Sequence, residues 1–281
     1  MAKKKKNRID RRGKKKEPPR IFMDSTISAI GGGFRGKRSA VNKAQDIIYD
    51  AMEAGSMEDP VAVAKKALSV SPDCADAYNL LAGAAESLEE KTELCRQGVA
   101  AGERALGKKA FTKDVGYFWG LLETRPYMRA RACLAECLWR LGNREEAIGH
   151  YQDMLRLNPG DNQGIRDILM GCLLQTDRVT EAEALYKQYE DSGMANWAYS
   201  RALLNFRKEG DSAKARKSLA EALESNKFVP AYLTGKKQLP KESPGYYGIG
   251  DDNEAVIYAE ANIESWKMTP GALEWLAAKA K

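Results

Sequence analysis

MRARACLAECLWRLGNREEAIGHYQDMLRLNPGD, residues 128–161, decides the fold. Leu134, Ala135 and Leu138 recur at the i, i+1, i+4 spacing of one buried helical stripe. Leu141-Gly142-Asn143 closes that helix, because glycine enters the left-handed conformation without a steric penalty. Asn143 then stands where a cap for a second helix is needed, and Ala147, Tyr151 and Leu155 follow at i, i+4, i+8. Asn158-Pro159-Gly160-Asp161 stops the second helix, since proline cannot continue the hydrogen-bond ladder. The small residues Ala135 and Ala147 let the two helices approach closely.

This helix–turn–helix resembles the 34-residue tetratricopeptide (TPR) unit, and it recurs. Residues 41–74 form a first unit, with Ile47, Ile48 and Ala51 as a stripe, Gly55 at the turn, and Ala64, Ala67 and Leu68 before Ser71-Pro72-Asp73. Residues 75–106 form a second, with Tyr78, Leu81, Ala82 and Ala85. The third is 128–161, the fourth 163–195 (Met170, Leu173, Ala182, Tyr186), and the fifth 196–229 (Leu203, Phe206, Ala215, Leu219, Ala222). An insertion at 107–127 separates the second from the third. Its Tyr117-Phe118-Trp119 and Leu121-Leu122 read as packing that seals the gap between repeats. The alternative is a partner-docking element built on exposed aromatics. Past Pro230 the pattern degenerates. Val229–Leu233 reads as a short helix, 239–250 as a loop, and 251–280 as two helices that cap the array. The expected fold class is all-α, a TPR-like right-handed helical solenoid over 41–281, behind a disordered basic N-terminal tail and Gly-rich linker (1–40).

Charge is divided unevenly. The chain carries +6, but residues 1–20 hold 11 Lys/Arg against Asp10 and Glu17, a balance of +9, which leaves −3 for the rest. Lys3, Lys4, Lys5, Lys6, Arg8, Arg11, Arg12, Lys14, Lys15 and Lys16 have the character of a solubilising tail or of an RNA, DNA or ribosome contact made through counterion release. The tail has no apolar h-region behind it, so it reads as no secretory signal. An apolar patch and the Gly31-Gly32-Gly33 hinge follow. No apolar run approaches the roughly 18–20 residues that span a bilayer, so no membrane span is expected. Five cysteines without CxxC pairs suggest reduced thiols and a cytoplasmic location, or a nuclear one in a eukaryote.

Several blocks resemble the suppression-of-tumorigenicity-7 family of TPR-like proteins. They are ALSVSPDCADAYNLLA (67–82), Tyr127–Arg131 and Trp139–Ala147. Late in the chain come Val229–Leu233 and the series Gly250-Asp251, Glu254-Ala255, Tyr258-Ala259, Trp266-Lys267 and Gly271-Ala272-Leu273. The late blocks are the most specific, because they are not TPR consensus. The resemblance implies an interaction protein. Vertebrate family members resemble membrane proteins with hydrophobic N-terminal segments, where this chain has a basic tail.

Candidate chemistry is sparse. Cys133 and Cys137 lie i, i+4 on one helix, but zinc would need two further ligands, and His150 is the single histidine. Core thiols are the expected reading. With one histidine and no P-loop, no catalytic set, metal or cofactor is expected. Gly245–Gly250 lacks the residues of a phosphate or calcium loop, and Asp251 or Asp252 caps the next helix. The function class is therefore a non-enzymatic scaffold holding a peptide or helix, acidic in character, in the groove of the first helices. That geometry points to Asn79, Arg129, Glu136, Arg140, Asp167, Trp197 and Arg207, flanked by Ala132 and Ser200. Arg129, Arg140 and Arg207 suit acidic groups of a ligand. Gln45, Tyr49, Asn79, Arg129 and Cys133 occupy the places of a chaperone-type carboxylate clamp without matching it, which disfavours that partner.

Overall fold

A computed structural model describes residues 39–53, 59–190 and 192–280. The basic tail, the apolar patch, the Gly31–Gly33 hinge and the turn at Gly55 lie outside them. Among the described residues every regular element is helical: α1 (Ala40–Glu53), α2 (Pro60–Val70), α3 (Ala75–Gly83), α4 (Leu88–Lys113), α5 (Arg125–Arg140), α6 (Arg144–Leu157), α7 (Ile165–Gln175), α8 (Val179–Gln188), α9 (Ala195–Glu209), α10 (Ala213–Ser225), α11 (Val229–Leu233), α12 (Asp252–Lys267) and α13 (Ala272–Lys279). The chain is all-α and TPR-like. It divides into two compact units, residues 1–162 and 163–281.

Local sequence explains where the helices begin and end. Asp59 accepts from Val61 N at 3.0 Å ahead of Pro60, and Ser87, Ser212 and Asp251 cap α4, α10 and α12 in the same way. Gly142 closes α5 at φ 84°. Asn143 precedes α6 as expected, but its side chain makes no capping bond. There its backbone N–H donates to Leu138 O at 2.9 Å, and the turn is completed by main chain alone.

In the first unit the helices pair as α1/α2, α3/α4 and α5/α6, and the first helices adjoin one another, α1 with α3 and α3 with α5. Small residues sit at the crossings. Ala44, Ala67, Ala77, Ala130, Ala135 and Ala147 are fully buried. A Cβ on Gly102 would fall 2.8 Å from Tyr127 Cβ, so α4 and α5 meet there at backbone distance. Leu134 and Leu138 on α5 and Ile148 on its partner α6 are buried, each worth about 1.5–3 kcal/mol. The insertion after α4 packs inward through Phe118, which is buried with its ring 5.3 Å from Phe111 and 6.1 Å from Tyr127. Gly116 N and Phe118 N both donate to Leu157 O. Tyr117 and Leu122 remain exposed.

One expectation is corrected. Cys95 on α4 and Cys133 on α5 form a disulfide, their Cα atoms 5.9 Å apart, while Cys74, Cys137 and Cys172 are buried and take no part in a disulfide. The two half-cystines are separated by 38 residues, and only the α4–α5 crossing brings them together, so their count and spacing could not reveal the pair.

In the second unit α7/α8 and α9/α10 pair, and α11 leads through a loop to α12 and α13. The repeat pattern predicts that the closing helices cap the end of the array. Instead α12 packs on α7 and α9 as well as on α11. It lies on the face those first helices form. No helix among the described residues is long and apolar enough to cross a membrane.

Candidate protein-binding groove

The first-helix face of the first unit is organised by Asp76, in the opening turn of α3. Its carboxylate is buried, and it accepts hydrogen bonds from Gln45 Nε2 at 2.8 Å, Asn79 Nδ2 at 2.9 Å and Arg129 Nε at 2.9 Å. Arg129 Nη2 donates to its second oxygen, giving a bidentate fork. Tyr49 OH lies 3.5 Å from Arg129 Nη2, and Asn79 Nδ2 also reaches Pro126 O at 3.2 Å. One residue from each of α1, α3 and α5 is thereby tied to a single anion. Burial works against the Arg129 charge, but the hydrogen bond and charge of Asp76 outweigh it, and its pKa is raised.

Asn79 and Arg129 come together here. Glu136 and Arg140, further along α5, pair only loosely at 4.0 Å and are both more than half exposed. Ala132 and Cys133 line the same side of α5, half-buried. Asp76 went unnoticed in the sequence, because one acid in the first turn of a helix reads as a favourable partner of the helix dipole.

The second unit treats its counterpart residues differently. Asp167 accepts from Asn196 Nδ2 at 2.9 Å, and burial raises its carboxyl pKa. Asn262 on α12 donates to Asn196 Oδ1 at 3.3 Å. Trp197 is buried, stacked on Tyr186 at 6.0 Å and edge-on to Tyr189 at 6.2 Å. Ser200 is fully buried, and Tyr199 packs on Tyr258 and Trp266 of α12. Arg207 donates to Leu174 O at 2.6 Å, Thr269 Oγ1 at 2.7 Å and Ser265 O at 2.9 Å, joining α7, α9 and the end of α12. Asp167, Asn196 and Arg207 thus serve the seat of the chain's own helix.

A cleft of about 660 Å³, for which the sequence carries no signal, opens beside the break in α4 at Gly107. Arg104, Lys108, Phe111, Tyr127, Arg131 and Asp153 line it. Two of its cations are already engaged, Arg104 by Asp73 and Arg131 by Asp153. Burial pushes the Tyr127 phenol up to about 12.

Helix pairs joined by tight turns, first helix against first helix with alanine and glycine at the crossings, define a TPR-type helical-repeat protein. Residues 11–280 match the family described as ST7 protein, and the chain belongs to that family. It is 26% identical over 269 residues to the Protein ST7 homolog of Caenorhabditis elegans, covering 83% of this chain and 50% of that one. It is 27% identical over 279 residues to the Suppressor of tumorigenicity 7 protein-like of Danio rerio, covering 92% and 48%. The chain therefore spans about half the length of the curated relatives it matches. Among solved structures it is similar to YrrB, described as a TPR protein with an unusual peptide-binding site. That match has a TM-score of 0.44 and 18% identity, over 70% of this chain and 90% of that one.

Proposed function

We propose that this protein is a non-enzymatic scaffold and that its binding surface is the first-helix face of the first unit, formed by α1, α3 and α5. One observation carries the reading. Among the described residues no helix of that unit is laid across this face, whereas the matching face of the second unit is filled by α12. The ligand is a peptide or helix with an acidic group. Arg140 offers an exposed guanidinium, and Arg129 is pre-oriented by its fork to Asp76 with 37% of its side chain still accessible. Orientation ahead of binding lowers the entropy lost on association.

A second reading rests on the +9 balance of residues 1–20. In it the tail tethers the protein to RNA, DNA or the ribosome, and the repeats recruit. Capture with the full chain and with a 1–20 deletion, each with and without nuclease, separates the two. Groove binding gives the same captured protein with both baits, insensitive to nuclease and weakened by Arg140→Glu. Loss of capture with the tail or with nuclease overturns it. Arg140 is the cleaner probe than Arg129, because it supports no buried group. On the scaffold reading the protein acts in the cytosol, or in the nucleus of a eukaryote, which fractionation measures.

A further inference from the structure

Three of the five cysteines converge. Cys133 and Cys137 are one turn apart on the same side of α5, and Cys95 meets them from α4. The three sulfurs all lie within 4.8 Å of one another. Cys95 and Cys137 are fully buried, and Cys133 is half-buried. Their helices are held at short range, since Gly98, one turn after Cys95, leaves only 3.1 Å between a would-be Cβ and Ala130 Cβ.

We propose that Cys95, Cys133 and Cys137 form a binding site for a soft, thiophilic metal ion, Cu(I) in type, which opens when the Cys95–Cys133 disulfide is reduced. A trigonal ion with metal–sulfur bonds of about 2.3 Å sets its sulfurs about 4 Å apart, within the observed spread. The donor set selects the ion. Thiolates favour Cu(I) over the hard cations, which take oxygen ligands. Structural zinc takes four protein ligands, and among the described residues no other Cys, His, Asp or Glu joins the three. His150, the single histidine, is engaged on α6, its Nδ1 accepting from Arg131 Nε at 3.1 Å and its Nε2 3.9 Å from Glu146. Cu(I) is satisfied by three sulfurs. Cys133 gives the ion its route in and keeps the anionic site in contact with solvent.

Oxidation state decides whether the site exists. A dithiol reductant transfers two electrons and two protons to the disulfide. Its S–S bond breaks to two thiols, and the dithiol closes to its own cyclic disulfide. Metal binding then releases thiol protons to solvent. Oxidation by a diazene reverses this, the N=N bond taking up two electrons and two protons to become a hydrazine. The sulfurs of Cys95 and Cys133 are then bonded to each other and no longer serve as thiolate ligands.

The test uses the full chain, reduced with a dithiol, desalted without oxygen, and titrated against Cu(I) held by the coloured chelator bathocuproine disulfonate. The reduced chain should withdraw one Cu(I) and gain a near-ultraviolet thiolate-to-copper band, and the diazene-oxidised chain should withdraw none. Cys137→Ser should weaken binding by at least about 100-fold, the upper end of what loss of a mere supporting contact produces. Cys172→Ser, outside the cluster, should change nothing. The proposal is overturned if the reduced chain leaves the chelator complex intact, if both redox forms bind alike, or if folded Cys137→Ser binds as tightly as Cys172→Ser. The redox comparison uses the native sequence, so a misfolded variant, seen by circular dichroism, leaves the test standing.

Discussion

Arg129→Ala removes the guanidinium that faces the buried carboxylate of Asp76 and leaves that anion in place. Breaking a buried ion pair from one side costs about 3–5 kcal/mol, because the remaining charge is uncompensated. Two features of this site reduce the figure. Arg129 is 37% exposed, so part of its attraction is already screened. Asp76 also keeps the amide donors of Gln45 and Asn79 at 2.8 and 2.9 Å. The expected loss is about 2 kcal/mol. The sign test is the double variant Arg129→Ala with Asp76→Asn. The second change removes the orphan charge and keeps an amide oxygen for the same donors, so the double variant should regain about 1 kcal/mol over the single. Hydrogen exchange followed by mass spectrometry reads the effect locally. Peptides from α3 and α5 should exchange about 30-fold faster in Arg129→Ala, since each 1.4 kcal/mol is a factor of about ten. Peptides from α12, in the other unit, are the internal reference. A double variant that exchanges faster than the single would refute the account of Asp76 as an anion needing its partner.

Three further outcomes rest on particular contacts. Gly102→Ala forces a Cβ to 2.8 Å from Tyr127 Cβ and 3.2 Å from its Cα, and should destabilise by about 2 kcal/mol; Gly149→Ala meets nothing within 4 Å and should stabilise by about 0.5–1 kcal/mol, both read from denaturant midpoints. His150 is held below its ordinary pKa, first by burial and then by the Arg131 charge. The unfolded chain therefore takes up this proton first as pH falls through about 6.5, and the contribution of His150, full above that value, declines as pH falls toward the depressed folded pKa. His150→Gln should flatten the difference in first-unit stability between about pH 7.5 and about pH 5.5, and an unchanged difference would rule out His150 as its source. Truncation after Gly250 removes α12 and α13, with the buried Tyr258, Trp266 and Trp275, so second-unit peptides should become rapidly cleaved by protease. A peptide of residues 252–267 added in trans should slow the cleavage, and a truncated chain as resistant as the full one would contradict the account of α12 as part of that core.

The helix pairs were legible because their determinants are local. Leu134, Leu138 and Ala147 sit within one turn of their neighbours, and Gly142 and Pro159 mark the breaks whatever surrounds them. The features that were not legible depend on residues far apart in the chain. The Asp76 cluster draws on Gln45, 31 residues before it, and Arg129, 53 residues after it. The cysteine trio needs the α4–α5 crossing, and α12 presents Asn262, Tyr258 and Ser265 to its partners, a polar set that reads in sequence as an outward face. The repeat pattern specifies how a first helix meets its second helix, and it does not specify the cover over the first helices. Arg129 and Arg207 differ for that reason. Both are arginines on the open side of a first helix, and in sequence they are equivalent candidates. Arg207, with 9% of its side chain exposed, donates to the backbone carbonyls of Leu174 and Ser265, lies 3.5 Å from the exposed Asp177 carboxylate, and has its pKa lowered by burial. Arg129 is held by the buried Asp76 carboxylate with 37% of its side chain open to solvent, so the two arginines differ in exposure and not in charge. One helix, α12, makes that difference, because it packs on α7 and α9 in the second unit, which is built from the same kind of pair as the first.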